Sequence, residues 1–249
     1  MQRWVEGTVV DNHHWTDRLY SLKVDADILG FKAGQFGRLA LDIDGQRVAR
    51  PYSFVNAPDE RPLEFYSIVV PEGPLSPRLA ALRPGDKVWV AAKGAGFLTL
   101  DEIPDEPEFL WMLSTGTAIG PFLSIAKTQE PWARFRKVGL VHAVRTVPEL
   151  TYRETIDRIR DAHPEQFVYV PFVSRQKTDF ALPGRIPAAI ENGSLEARGG
   201  IPFDPHRTHV MICGNPGMVQ DTTAVLEARG FKRNKRRDPG QISTEQYWS

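Results

Sequence analysis

Hydrophobic positions change their rhythm about two-fifths of the way along this 249-residue chain. Up to about residue 100 they come in short β-rich runs, at 4–10, 19–24, 36–41, 48–55, 63–70 and 87–91. Turn chemistry separates the runs, notably Asp44-Gly45, Asn56-Ala57-Pro58-Asp59 and Pro84-Gly85-Asp86. Six strands at this spacing predict a small antiparallel β-barrel, interrupted by one short helix with Ser76 at its N-cap and Pro77 at its first position. Residues 101–108 are acidic and proline-rich, which predicts an exposed linker. Beyond it, continuous apolar runs at 109–113, 138–143, 167–173 and 209–213 alternate with helical stretches near 119–127, 152–162, 186–192 and 216–229. Unbroken strands each followed by a helix indicate a parallel sheet covered on both faces. The chain is therefore expected to form two domains, a barrel at 1–100 and an α/β nucleotide-binding domain at 101–249.

Composition narrows the chemistry. Hydrophobic residues at 41% and charged ones at 25% are those of a globular protein, which excludes a disordered chain. Lys plus Arg (31) equal Asp plus Glu (31), so net charge draws the molecule toward neither nucleic acid nor anionic lipid. No apolar stretch reaches the roughly 18 residues of a membrane span, and a cytoplasmic protein is the expectation, with nothing demanding more than a monomer. The six histidines show no metal-ligand spacing. A single cysteine, Cys213, cannot form an intrachain disulfide, a four-cysteine zinc site or an iron-sulfur cluster within this chain. Electron handling would therefore need an organic cofactor.

In a doubly wound sheet, ligands bind beyond the carboxyl ends of the strands. After the first apolar run stand Thr115-Gly116-Thr117, a turn that either brings backbone amides to a pyrophosphate or serves as a tight connection. Arg145 follows the second run, where a carboxylate would suit NAD; an arginine suits the 2′-phosphate of NADP. Ser174-Arg175 follow the third run, and Arg185 comes shortly after. Cys213-Gly214-Asn215-Pro216 closes the fourth, with Asn215 placed to cap the next helix. In the first half, Arg50-Pro51-Tyr52-Ser53 puts a cation, an aromatic face and a hydroxyl within four residues, the groups a flavin dinucleotide needs. On an extended segment Arg50 and Tyr52 share a side, with Ser53 opposite. Gly73-Pro74-Leu75-Ser76-Pro77 supplies a second helix start.

These segments occur in the order seen in the ferredoxin-NADP(+) reductase superfamily. The chain resembles its bacterial flavodoxin/ferredoxin-NADP(+) reductases over essentially its whole length, through Arg50-Pro51-Tyr52-Ser53-Phe54-Val55-Asn56, Leu75-Ser76-Pro77-Arg78-Leu79, Thr115-Gly116-Thr117-Ala118-Ile119-Gly120-Pro121 and the ending Glu245-Gln246-Tyr247-Trp248. The resemblance implies a flavoenzyme that binds FAD and NADP(H) and exchanges electrons with ferredoxin or flavodoxin. By that resemblance Arg50 contacts the FAD diphosphate, Tyr52 packs on the flavin or its ribityl chain, and Ser53 hydrogen-bonds near flavin N5. Pro51, Tyr66, Ile68 and the Pro74-Leu75-Ser76 turn complete the FAD site, and Trp248 stacks on the adenine. Thr117 lies between flavin and nicotinamide, with Thr115 and Asn215 in the same nucleotide site. Arg145, Ser174, Arg175 and Arg185 hold the adenosine 2′-phosphate, and Cys213 sits near nicotinamide C4. Ser53 and Cys213 are the implied catalytic pair.

Six cations and no anions occupy 229–237. Such a stretch is a solvated edge, a docking site for an acidic carrier or part of a phosphate site; no accompanying aromatic platform supports nucleic-acid binding. A reductase component of an oxygenase, an NAD(P)H:flavin reductase and a non-catalytic redox-sensing subunit are the competing readings of the same cofactors.

Overall fold

The computed structural model describes residues 2–246. Contacts divide the chain into two compact units: one holds residues up to Thr99 together with Gly120–Thr128, the other Leu100–Ile119 and the chain from Gln129 onward.

The first unit is a six-stranded antiparallel sheet in the order β4-β3-β6-β1-β2-β5. Its strands are β1 (Trp4–His14), β2 (Leu19–Asp25), β3 (Phe36–Ile43), β4 (Gln46–Ser53), β5 (Leu63–Ile68) and β6 (Lys87–Ala91). Just past β4, Phe54 bridges Phe65 of β5 and the Val55 amide donates to the Glu64 carbonyl at 2.9 Å. That contact joins the two terminal strands and closes the barrel around Tyr20, Leu22, Leu39, Phe54, Leu63 and Phe65, all essentially buried. Pro51 is tolerated inside β4 because this strand is hydrogen-bonded into the sheet on one side only there.

Strand β1 runs four residues past its apolar stretch. A register shift between Val9 and Asp11 turns the polar continuation toward α1 (Ser76–Ala80), where Asn12 Nδ2 donates to the carbonyls of Leu79, Ala80 and Leu82 at 3.1, 3.1 and 2.8 Å. These carbonyls stand at and just past the end of the helix. Ser76 does not cap α1. The N-cap is Leu75, and Ser76 is the first helical residue, its hydroxyl accepting from the Val70 amide at 2.9 Å. The demand of the 70–76 loop for a partner outweighs the local capping preference.

The second unit is a five-stranded parallel sheet in the order β11-β10-β7-β8-β9. Its strands are β7 (Phe109–Thr115), β8 (Lys137–Val144), β9 (Phe167–Val173), β10 (Thr208–Gly214) and β11 (Ile242–Gln246). Helices α2 (Ile119–Ala126), α3 (Glu130–Arg134), α4 (Arg153–Ala162), α5 (Ile186–Glu191), α6 (Ser194–Gly199) and α7 (Pro216–Ala228) connect them. The core gathers Trp111, Leu113, Val141, Val170, Phe172 and Ile212 with residues of α5, α6 and α7. β11 falls outside the four apolar runs because only Ile242 and Ser243 of its five residues are buried.

Two segments depart from the sequence expectation. The run 101–108 is no loose linker at its start: Leu100 and Ile103 are buried, and Arg134 donates to the carbonyls of Leu100 (2.8 Å), Ile103 (2.6 Å) and Pro104. The body of α2 packs with the barrel, so residues 120–128 join the first unit although they follow β7 in sequence. Every residue of α2 is buried, as expected of a helix that is apolar all round. The Ser124 hydroxyl donates to the Asn56 carbonyl at 2.8 Å, and Lys127 pairs with Glu60 at 3.1 Å.

Candidate functional site

In the barrel unit the conspicuous surface is the end of β4. Register places Arg50 opposite Leu39 and Tyr52 opposite Gly37 of β3, so both side chains leave on one side, and Ser53 on the other is buried. Arg50 is exposed and its guanidinium donates to the Ala49 carbonyl at 2.8 Å; among the described residues it has no other acceptor and no carboxylate neutralises it. Tyr52 is half-buried, and burial holds its phenol above the ordinary tyrosine range. The Phe54–Phe65 bridge carries the antiparallel register back to Ser53 and Tyr66, so the buried hydroxyl lies beside buried Tyr66, with Ile68 two residues further along β5. Three contacts pin the Pro74–Leu75–Ser76 turn: Ser76 Oγ to Val70, the Tyr20 hydroxyl to the Ser76 carbonyl (3.2 Å), and Arg78 to the Pro74 carbonyl (2.8 Å).

In the α/β unit the strand order reverses between β7 and β10: the chain runs from β7 outward through β8 and β9, then crosses to β10 and β11. Such a switch point opens a crevice at the carboxyl ends of the two central strands. Thr115, Gly116 and Thr117 end β7 there; Cys213, Gly214 and Asn215 end β10. Gly116 has φ +55°, and Gly214 has φ +140°. A Cβ on Gly214 would come 2.1 Å from Thr115 Oγ1, so glycine lets the two strand ends approach closely enough for the Asn215 amide to donate to that hydroxyl at 3.1 Å. Asn215 also caps α7, accepting from the Met218 amide at 3.3 Å.

Further along the same edge, the loops after β8 and β9 are tied together. The Ser174 amide donates to the Val144 carbonyl (3.1 Å), the Arg175 amide to the Arg145 carbonyl (2.9 Å), and Val147 to Gln176 Oε1 (2.7 Å). Glu149 accepts from the amides of Arg145 (2.8 Å) and Thr146 (3.1 Å). The segment carrying Arg185 lies along β9, since the Leu182 amide donates to the Pro171 carbonyl at 2.9 Å. Arg145, Ser174, Arg175 and Arg185 are all exposed, and none of the three guanidinium groups has an ion pair among the described residues. Three free cations and a hydroxyl on adjoining loops make a dianion-binding edge.

Cys213 is fully buried, in register between Ser114 of β7 and Glu245 of β11. Glu245 carries no signal in the hydrophobic pattern, because it stands on the polar edge strand. Its Oε2 is enclosed without a hydrogen-bond partner among the described residues, and burial pushes the carboxyl up to about 7. An unfolded glutamate ionises near 4.5, so between these values the folded chain keeps a proton that the unfolded chain has released. Stability contributed by this group falls as pH rises through that window, by up to about 3 kcal/mol at 1.36 kcal/mol per unit. Relative to wild type, the urea midpoint of Glu245→Gln is expected to rise between pH 5 and pH 8, whereas a constant offset would mean that the carboxyl is not enclosed. Trp248 lies outside the described residues.

Within the basic run, three cations are paired: Arg229 with Glu196 (2.9 Å), Lys232 with Asp238, and Arg233 with Glu227 (2.8 Å). Lys235 and Asp238 exchange backbone hydrogen bonds at 3.1 and 2.8 Å, forming a tight turn with Arg236 and Arg237 at its tip. Lys235, Arg236 and Arg237 are exposed and unpaired among the described residues.

An oxidoreductase FAD-binding domain matches residues 12–95, and an oxidoreductase NAD-binding domain matches residues 112–224. The flavodoxin/ferredoxin--NADP reductase of Escherichia coli (strain K12) is 49% identical over 249 residues, covering all of both chains. The chain belongs to the flavodoxin/ferredoxin-NADP reductase family. The ferredoxin--NADP reductase of Pseudomonas aeruginosa is 39% identical over 95% of each chain. A solved ferredoxin NADP+ reductase from Neisseria gonorrhoeae, with bound FAD and NADP, is 32% identical with a TM-score of 0.93 over the whole of both chains. Family membership makes the chain an FAD-dependent oxidoreductase with a second, NADP-binding domain, in keeping with the six-stranded antiparallel and five-stranded parallel sheets.

Proposed function

We propose that this chain passes electrons between NADP(H) and a one-electron carrier, ferredoxin or flavodoxin, through FAD. The observation that carries the reading is the edge of tied loops bearing Arg145, Ser174, Arg175 and Arg185 beside the β7/β10 switch point, a donor set that fits a nucleotide with a 2′-phosphate. The Gly116 turn, where nothing stands within 4 Å of the position a Cβ would take, fits the close passage of backbone to a pyrophosphate. In the barrel unit, the uncompensated Arg50, the Tyr52 ring and the buried Ser53 hydroxyl fit the diphosphate, the ring system and the reactive edge of a flavin dinucleotide. FAD held there would supply the redox chemistry that joins a two-electron nucleotide donor to a one-electron carrier.

The chain's own residues bind and orient. Arg50, with Pro51 and the turn at Pro74, Leu75 and Ser76, holds the FAD diphosphate side, and Tyr52, Tyr66 and Ile68 pack on the flavin. Ser53 places a hydroxyl at the reacting nitrogen. Thr115, Thr117 and Asn215 line the nucleotide's path, and Cys213 shapes the wall at its nicotinamide end. The basic turn of Lys235, Arg236 and Arg237 is the docking contact for an acidic carrier, because unpaired cations steer an anionic partner at low salt. No helix among the described residues is long and apolar enough to cross a membrane.

NADPH-driven reduction of an acidic ferredoxin or flavodoxin, assayed beside reduction of a small dye, tests both the activity and its partner. Lys235→Glu/Arg236→Glu is expected to raise the Michaelis constant for the carrier about tenfold at low salt and to leave dye reduction unchanged. Equal loss of both activities would remove the docking role. Failure of the wild-type protein to reduce any carrier or dye would overturn the activity itself.

A further inference from the structure

His142 lies on β8, in register with Ser114 of β7, and is completely buried. Its Nε2 stands 3.1 Å from the carbonyl oxygen of Gly116, the left-handed residue that opens the turn after β7. Its Nδ1 is buried with no hydrogen-bond partner among the described residues. Burial pushes the imidazole down to about 4, so the ring is neutral at physiological pH and carries one proton. A carbonyl oxygen can only accept, so that proton is on Nε2 and His142 donates to Gly116. An apolar side chain would fill the same space without stranding a ring nitrogen in the core, so packing alone does not account for a histidine here.

The Gly116 carbonyl belongs to the peptide unit whose amide is the Thr117 N–H. In a planar trans peptide the C=O and N–H point in opposite directions. With the carbonyl held toward buried His142, the Thr117 N–H is turned away from it, at the start of the turn where such amides have no partner within the helix. Glycine at 116 removes the Cβ that would otherwise restrict this peptide to other orientations, so the sequence alone leaves the plane free to rotate. The Ile119 amide donates to the same carbonyl as the turn closes, and the bond from the fixed ring is a second hold on that one orientation.

We propose that His142 is a positioning residue for NADP(H), locking the Gly116–Thr117 peptide so that the Thr117 amide faces the bound nucleotide at the β7/β10 switch point. The inference rests on the NADP(H) reading of that crevice. Arg145 stands only three residues further along the chain, but the hydrogen bond from His142 is made to the turn after β7 and not to the loops that carry the arginines. Loss of that bond therefore weakens the whole dinucleotide and spares a ligand that needs only the arginines.

Two variants of the FAD-loaded protein test this. His142→Leu removes the donor, and His142→Gln keeps an N–H close to the position of Nε2. Dissociation constants are measured for NADP+ and for 2′,5′-ADP, which carries the 2′-phosphate and lacks the nicotinamide half. His142→Leu is expected to weaken NADP+ about tenfold and leave 2′,5′-ADP within about twofold, and His142→Gln to restore NADP+ to within about threefold of wild type. Unchanged NADP+ affinity, or equal weakening of both ligands, would overturn the proposal. Arg175→Glu serves as the control: if it leaves 2′,5′-ADP binding intact, the nucleotide reading fails independently of His142. The wild-type protein gives a test that needs no variant. Nitrogen-15 resonances of the imidazole are expected to report the Nε2–H tautomer without titration from pH 5.5 to pH 8; an Nδ1–H tautomer or a titrating ring would contradict the proposal.

Discussion

Reversing charge at Arg145 and Arg175 together is expected to lower kcat/KM for NADPH by about 10³-fold while leaving NADH within about threefold. Both residues are exposed, unpaired and held side by side by the Arg175–Arg145 backbone hydrogen bond and the Gln176 clamp on Val147. A nucleotide 2′-phosphate is a dianion, and a charge-assisted hydrogen bond from each guanidinium contributes about 2 kcal/mol. Two such contacts make about 4 kcal/mol, which at 1.4 kcal/mol per decade is close to 10³. Carboxylates in their place add repulsion against NADPH and meet only a hydroxyl in NADH, so the change falls on one cofactor. Steady-state dye reduction with each cofactor at fixed ionic strength measures it. Parallel loss with both would show that the arginines support the fold or the turn rather than the phosphate.

Replacing Ser53 by Ala is expected to slow flavin reduction by NADPH about 10²-fold in stopped flow, with FAD content and the affinity for NADP+ unchanged. Ser53 closes β4, is 4% exposed, and is held between the Phe54–Phe65 closure and Tyr66. A hydroxyl on so rigid a strand end does not have to be reoriented as charge develops at the flavin edge, and removal of one such preorganised donor typically costs 10²–10³ in rate. Loss confined to the rate, with binding intact, is the signature of an interaction made in the transition state. Reduction at wild-type speed would take Ser53 out of the chemistry, and loss of FAD would make it a binding residue instead.

The hydrophobic rhythm located most of the fold because the buried runs are long and uniform. β9 coincides with its apolar run, β7 extends its run by two residues at the carboxyl end, and β8 and β10 extend theirs by one residue at each end. What the rhythm could not show are elements held by polar contacts. β11 is polar along most of its length and is recruited by the main chain of β10. The last four residues of β1 face α1 through Asn12. Tertiary demand also overrides local preference, as where Ser76 serves the Val70 amide instead of capping. The candidate site was legible where a rule connects sequence to place: carboxyl ends of parallel strands led to Thr115, Arg145, Ser174, Arg175 and Asn215. Side chains that act on the backbone of other loops, Glu149, Gln176 and His142, follow no such rule. Their partners lie 3 to 29 residues away and are set only once the strands align.

The most direct measurement is anaerobic mixing of the flavin-loaded protein with equal concentrations of NADPH or NADH, followed by an acidic ferredoxin or flavodoxin. Rapid bleaching of the flavin absorbance by NADPH, bleaching by NADH at least about a hundredfold slower, and return of the absorbance as the carrier is reduced are the predicted results. Bleaching with equal speed by both nucleotides, or a reduced flavin that the carrier leaves untouched, would contradict the account.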